Sequence, residues 1–104
     1  MHVRVAFYKV QSGTSVEVVR TVEAPGGLLE IFRASPGFHA YELIEAPAGL
    51  FSVSHWETSK QADDATRMAA RWVSEHIDDM VKLQQSDIGE VVLSANAMAA
   101  SQPT

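Results

Sequence analysis

The chain has 104 residues, of which 46 % are hydrophobic, and its 8 basic and 13 acidic side chains give a net charge of −5. This length predicts one globular domain, and the lack of a basic stripe argues against a nucleic-acid surface. The sequence has no cysteine, which excludes disulfides and thiolate chemistry. It shows no secretory signal and no apolar run of the roughly 18 residues that span a membrane. We therefore expect a cytoplasmic protein that binds neither nucleic acid nor membrane.

Residues 3–10 predict the first strand, because apolar side chains fall on both of its faces. One face carries Val3, Val5 and Phe7, and the other carries Arg4, Ala6, Tyr8 and Val10. The alternation has a period of two, which predicts a strand with apolar contacts on each side. Arg4, and Arg33 further along the chain, could hold an anionic substrate, but we expect both side chains to be solvated.

A broken helical segment is predicted next. Thr14 and Glu17 have the spacing of a capping box, so a helix should begin there. Residues 25–27 read Pro-Gly-Gly, and these residue types interrupt helices. A short helix over residues 28–34 should follow and present Phe32 to the core. The break can act as a hinge for a lid or can be a simple kink.

Two strands then form a predicted hairpin, over residues 38–44 and 50–56. The five residues between them include Pro47 and Gly49, a length and composition suited to a hairpin connection. A second capping box, Thr58 with Gln61, predicts the start of the longest helix.

This long helix is expected to continue to about Leu83, because apolar side chains recur at helical spacing. Its apolar arc consists of Ala62, Ala65, Ala69, Trp72, Val73, His76, Met80 and Leu83. Residues 84–89 are predicted to be a loop and residues 90–95 the fourth strand. The domain is expected to cover residues 1–95, and residues 96–104 to form a flexible tail.

The order βαββαβ predicts an α+β ferredoxin-like fold, with a four-stranded antiparallel sheet and the helices on one face. The uncovered face is expected to carry Val3, Val5, Phe7, Tyr41, Leu43, Phe51 and Val53. An exposed apolar face of that size marks an interaction surface. We therefore predict a homodimer that packs sheet against sheet.

Two short signals and the element order resemble the antibiotic biosynthesis monooxygenase-like family of dimeric α/β barrels. The signals are Pro-Gly-Phe at residues 36–38 and Ser-His-Trp-Glu-Thr-Ser at residues 54–59, and the resemblance covers residues 3–95. It implies a pocket between sheet and helices. The activities it implies are cofactor-free oxygenation of phenols or quinols, or haem degradation.

Three positions depart from the family pattern. Ala6 stands where the haem degraders have an asparagine, and Thr66 or Arg67 stands where they have a tryptophan. We therefore expect no haem and no other cofactor. Ser52 replaces the asparagine of the phenol oxygenases, and a hydroxyl cannot copy the paired donor and acceptor of an amide.

The candidate catalytic residues are His76 and Tyr8. The imidazole of His76 could take a proton from a phenol near neutral pH, or it could be a core histidine bonded to a backbone carbonyl. Tyr8 could aim its hydroxyl into a cavity or be a half-buried strand tyrosine. The spacing of the histidines shows no metal site.

The candidate substrate-binding residues are predicted to lie between the sheet and the helices. Ser52 and Ser54 alternate with apolar residues on the face shared with Trp56, and small polar residues there suggest a cavity. Trp56 could stack on an aromatic ligand or fill the core. Trp72 and Phe32 complete the predicted set.

Two functions remain open from the sequence. The first is a cofactor-independent monooxygenase acting on a small aromatic or quinol substrate. The second is a non-catalytic dimeric module that binds a small apolar or aromatic ligand or serves a stress response.

Overall fold

A computed structural model describes residues 1–96. The elements in chain order are β1 (His2–Val10), α1 (Ser15–Glu23), α2 (Leu28–Arg33), β2 (Phe38–Ala46), β3 (Gly49–Trp56), α3 (Ser59–His76) and β4 (Val81–Glu90). The strands form a four-stranded sheet of order β2-β3-β1-β4 in which all neighbours are antiparallel. This is the predicted α+β ferredoxin-like fold. Within the described residues, no helix combines the length and the apolarity that crossing a membrane requires.

Both predicted capping boxes are present and begin the helices as expected. Thr14 and Glu17 exchange side-chain and backbone hydrogen bonds at the start of α1, and Thr58 and Gln61 do the same at α3. The Pro-Gly-Gly segment separates α1 from α2, with Gly26 at φ 79°, a conformation that favours glycine.

The predicted boundaries of the last helix and the last strand are wrong. Helix α3 ends at His76, not near Leu83, and the fourth strand covers Val81–Glu90, not residues 90–95. Residues 81–90 pair with β1 along its whole length, from Val10 with Val81 to His2 with Glu90. Most side chains of this edge strand are exposed, so its sequence lacks the apolar alternation that marks a strand. The predicted tail lies outside the described residues except for Asn96.

One face of the sheet is covered by the helices, and we call it the covered face. Alternate residues of β1 and β3 are buried there, whereas the residues between them are more exposed. Tyr41 and Leu43 pair with Ser54 and Ser52, which places them on the covered face and not on the uncovered one as predicted. A register shift after Phe38 causes this difference, because one extra residue reverses which side chains face the helices.

The opposite face, which we call the open face, carries five of the predicted apolar residues, Val3, Val5, Phe7, Phe51 and Val53, together with the polar pair of Glu42 and His55. Val5, Ile44 and Phe51 are 38 %, 48 % and 36 % exposed there. The rings of Phe7 and Phe51 lie 4.7 Å apart across β1 and β3.

The two short sequence signals lie in contact. The Glu57 amide donates to the Gly37 carbonyl at 2.9 Å. Gly37 has φ 79°, and a Cβ at this position would lie 1.8 Å from Oε1 of Gln61. Any larger residue would therefore disturb the capping box of α3, so the glycine fixes how closely the turn before β2 approaches the helix.

Candidate functional site

The centre of the covered face is built from small side chains. Ala6 in the middle of β1 pairs with Ser52 on one side and Ser86 on the other. Ala65 and Ala69 of α3 are fully buried above the sheet. These small residues leave space between the sheet and α3. Longer tyrosine and arginine side chains from neighbouring positions fill that space.

Arg4 is buried at the centre of the molecule, with 1 % of its surface exposed. Its Nη2 donates a hydrogen bond to the Tyr8 hydroxyl at 3.1 Å. Ala6 lies between these two residues on the same face of β1, so the guanidinium and the phenol meet above its methyl group. The prediction that Arg4 is solvated is wrong, because strand alternation turns it towards the helices together with Ala6 and Tyr8.

Tyr41 contributes a second hydroxyl to this centre. Its Oη lies 3.0 Å from the Ser52 hydroxyl. Burial raises the pKa of Tyr41 to about 12, an effect that the Ser52 hydrogen bond and the charge of Arg4 oppose. Tyr41 therefore stays protonated at neutral pH and can donate a hydrogen bond.

A small cavity lies beside the two tyrosines, between the covered face and the helices. The space open to the centre of a water molecule is about 20 Å³, enough for a single water. Its wall consists of Tyr8, Val18, Val22, Leu28, Tyr41, Leu43, Leu50, Ser52, Trp72, Val73, Ile77 and Val81. The wall is mainly apolar, and its polar groups are the two phenols and one serine, apart from the indole N–H of Trp72.

Helices α1 and α2 close the cavity through Val18, Val22 and Leu28. The Trp72 indole N–H donates to the Gly26 carbonyl at 3.3 Å. The break between the two covering helices is thus tied to α3 by a residue that also lines the cavity.

The predicted site residues separate into three locations. Tyr8, Ser52 and Trp72 line the cavity. Phe32 and Trp56 are fully buried but pack edge to face at 5.2 Å in an aromatic cluster beside the cavity wall. Ser54 is also fully buried, and its hydroxyl has no hydrogen-bond partner among the described residues.

His76 lies away from the cavity, on the outer surface of α3. It is the last residue of the helix and is exposed. Its ring stacks on Trp72 with centroids 5.1 Å apart, and its Nδ1 donates to the Trp72 carbonyl at 3.0 Å. The expectation that it lies at the centre of the buried arc is wrong, because α3 stops at this residue and the buried side of the helix ends with Trp72. His76 instead lines a separate surface cleft next to Trp72 and Gly26.

The two strand histidines pair with carboxylates at the surface. His39 Nε2 lies 2.6 Å from Glu57, and His55 Nε2 lies 3.0 Å from Glu42 on the open face. The hydrogen bond from His39 lowers the pKa of Glu57. Within residues 1–96, no group of three histidine or acidic side chains is arranged to hold a metal ion.

Sequence reasoning considered Arg4 as a holder of an anionic substrate but favoured a solvated side chain, and it placed Tyr41 on the wrong face. The signal for Arg4 was available, because it alternates with Val3 and Val5 and so shares the face of Ala6 and Tyr8. No comparable signal existed for Tyr41, whose side is decided by the register shift in β2.

No protein-family model matches this sequence, and no curated protein matches it. Solved structures do share its fold. A point mutant of MhuD with two manganese protoporphyrins per active site has a TM-score of 0.70 and 19 % identity, over 93 % of this chain and 100 % of that chain. MhuD from Mycobacterium tuberculosis, a haem degrader with two haems bound, has a TM-score of 0.64 and 20 % identity, over 92 % and 100 %.

A candidate antibiotic biosynthesis monooxygenase from Bacillus cereus is also similar. Its TM-score is 0.58 at 18 % identity, over 92 % of this chain and 95 % of that chain. These similarities bear out the fold that the two short motifs indicated. The chain therefore shares the ferredoxin-like α+β fold of these solved structures.

Proposed function

We propose that the protein is a cofactor-independent oxygenase that takes a small phenol or quinol into the cavity between sheet and helices. The observation that carries the proposal is a set of three hydroxyl-bearing residues, Tyr8, Tyr41 and Ser52, that line a mainly apolar wall. A site with an apolar wall and a few convergent polar groups is typical of small-molecule binding.

The chemistry needs no external reductant. A phenol or quinol that has released its hydroxyl proton to solvent supplies electrons to O₂. One oxygen atom enters the ring as a carbonyl, and the other leaves as water, formed with one ring hydrogen and one proton taken back from solvent. The protein holds the substrate oxygen through the tyrosine and serine hydroxyls and excludes water with its apolar wall. Donors placed where negative charge develops lower the barrier to such reactions.

Haem does not fit this site, although the similar MhuD structures carry it or its manganese analogue. None of the residues that line the cavity is a histidine that could ligate the haem iron. Among the described residues, the imidazoles of His39, His55 and His76 are held at the surface by other groups. No step is therefore assigned to haem.

The cavity must enlarge before a ring can enter. We propose that α1 and α2 move apart about the Pro-Gly-Gly break at residues 25–27. The hydrogen bond from Trp72 to Gly26 would be released in this motion, and α1 buries only Val18 and Val22 to hold its place. Hinges of this kind are short segments that absorb a backbone change.

The proposal includes a homodimer formed through the open face. Val5, Ile44 and Phe51 expose apolar surface there, and a second sheet would cover it. Such patches on soluble proteins mark interaction sites.

Oxygen consumption with a panel of naphthols, anthrones and quinols tests the function. Active substrates should consume oxygen, and Tyr41→Phe should lower kcat/KM by about 100-fold, the loss typical of one oxyanion donor. His76→Ala is the matched control and should retain activity, because His76 lies outside the cavity. The proposal fails if no substrate consumes oxygen above the blank, or if Tyr41→Phe equals the wild type.

A second candidate is a non-catalytic ligand-binding protein. One observation favours it: among the described residues, the cavity wall carries no carboxylate or imidazole that could act as a base. Saturable binding of a panel compound without oxygen consumption would support this function over the first.

A further inference from the structure

The Arg4 guanidinium is a buried cation without a carboxylate partner. Its hydrogen bond to the Tyr8 hydroxyl uses Nη2, and neither Nε nor Nη1 has a partner in the described part of the chain. Arginine stays charged in proteins. All acidic residues of the sequence lie within residues 1–96, and none of them is buried.

Such a charge is costly unless something neutralises it. Removing an ion from water costs several kcal/mol, and an unpaired buried charge leaves that cost uncompensated. The Ser54 hydroxyl, directly across from Arg4 on β3, is fully buried and also lacks a partner among the residues described. A water molecule could satisfy these donors, but only an anion would also neutralise the charge.

We infer that this centre binds a small aromatic oxyanion, a carboxylate or a phenolate, with its negative group at Arg4. The inference rests on the proposed function, because it uses the same cavity. It adds that the ligand carries a negative charge. A planar oxyanion matches the fork of a guanidinium, which can donate two parallel hydrogen bonds. Either unpartnered nitrogen, Nε or Nη1, can supply one of these bonds, and the second N–H of Nη2 can supply the other.

The aromatic part of the ligand would occupy the cavity, which Arg4 does not itself line and reaches only through Tyr8. Tyr8 links the two, because it accepts the Arg4 hydrogen bond and lines the cavity wall. The rest of that wall is formed mainly by aliphatic side chains and Trp72. A ligand whose charged group lies at Arg4 would therefore place its remaining atoms in apolar surroundings, which favour a ring over a polar chain.

Benzoate and its neutral, planar analogue benzamide test the charge preference by calorimetry. Benzoate should bind roughly 10- to 100-fold more tightly, the gain expected from hydrogen bonds to a charged group. Arg4→Met should remove this preference, and Arg33→Met, which removes an exposed arginine, should keep it. In buffer without aromatic anions Arg4→Met should fold with an equal or higher Tm, because it removes an uncompensated charge.

A second measurement needs no variant. Benzoate should shift the Arg4 Nε–H resonance of the wild-type protein, and benzamide should not. With 4-nitrophenol, whose anion is yellow, the protein should increase the yellow colour at a pH below the phenol's own pKa. A benzoate response with no nitrophenol colour assigns the site to carboxylates, and the reverse assigns it to phenolates.

Equal binding of benzoate and benzamide, or an unchanged preference in Arg4→Met, overturns the inference. Absence of any binding by benzoate and nitrophenol also overturns it. These outcomes are separate from oxygen consumption: a protein that oxidises neutral quinols but ignores anions retains the proposed function and loses the anion site.

Discussion

Folded proteins usually bury apolar side chains and expose polar ones, and each face of this sheet departs from that rule in its own way. On the covered face Arg4, Ser52 and Ser54 are nearly or fully buried. On the open face Phe51 and Ile44 are partly exposed. Buried polar groups and exposed apolar surface both need partners. Under the two proposals, a polar ligand would complete the covered face, and a second chain would complete the open face.

The largest expected effect comes from a substitution on the open face that disrupts the proposed dimer. Phe51→Asp places a charge in the centre of the proposed dimer contact, where desolvating it should raise the dimer Kd by about 100-fold or more. Light scattering should then give the mass of one 11.3 kDa chain, whereas the wild type should give twice that mass. Val16→Asp on α1 is the control, because Val16 is an exposed apolar residue away from the sheet. A wild-type protein that is monomeric at micromolar concentration contradicts the dimer.

The next effect concerns the covered face and its response to alkali. The folded state raises the pKa of Tyr41 to about 12, so above the ordinary tyrosine pKa the unfolded chain loses a proton that the folded protein keeps. Below about pH 10, ionisation of Tyr41 leaves the free energy of unfolding unchanged. As pH rises from there towards the folded pKa, ionisation in the unfolded chain lowers the free energy of unfolding by roughly 2–3 kcal/mol. Denaturant titrations between neutral and alkaline pH should show a steeper loss for the wild type than for Tyr41→Phe. Equal slopes would show that Tyr41 is not buried as described.

A smaller effect separates the two serines of β3. Ser52→Ala removes the hydrogen bond to the Tyr41 hydroxyl and should cost about 1 kcal/mol of unfolding free energy. Ser54→Ala removes a buried hydroxyl that has no partner among the described residues and should leave the stability unchanged or raise it. Urea unfolding of both variants measures the difference. A larger loss for Ser54→Ala would mean that its hydroxyl has a protein partner.

The smallest effect lies at the surface, where His39 pairs with Glu57. His39→Leu removes the hydrogen-bond donor and the electrostatic interaction that lower the Glu57 pKa, so this pKa should return towards its ordinary value in a carboxyl NMR titration. A lowered carboxyl pKa adds stability above the ordinary pKa, and that stability is lost as pH falls. Because both side chains are exposed, we expect no measurable change in Tm at neutral pH. An unchanged Glu57 pKa would contradict the pairing.

Local signals predicted those parts of the fold that depend on neighbouring residues. Thr14 with Glu17 and Thr58 with Gln61 began their helices as predicted, because a capping box is completed within one turn. Residues 25–27 broke the helix for an equally local reason. The end of α3 was wrong because pairing of residues 81–90 with β1 outweighed an apolar pattern that continued the helix.

The candidate site shows the same division. Ser52 and Tyr8 were predicted from alternation along their own strands, and both line the cavity. The face on which Tyr41 lies depends on a register shift between two strands. The position of His76 depends on where α3 ends, which the pairing of the following strand determines. Neither property can be derived from the spacing of residues along one element.

The sequence by itself determined the helix starts, the hairpin, the element order and an open face rich in apolar side chains, since each follows from local propensity and periodicity. Only the tertiary structure decided that Arg4 is buried without a carboxylate and that its guanidinium meets the hydroxyl of Tyr8. The physical reason is that burial and charge pairing are set by contacts between distant segments. The acidic residues that could have paired with Arg4 all lie at or near the surface, and only the assembled fold shows that none of them reaches it.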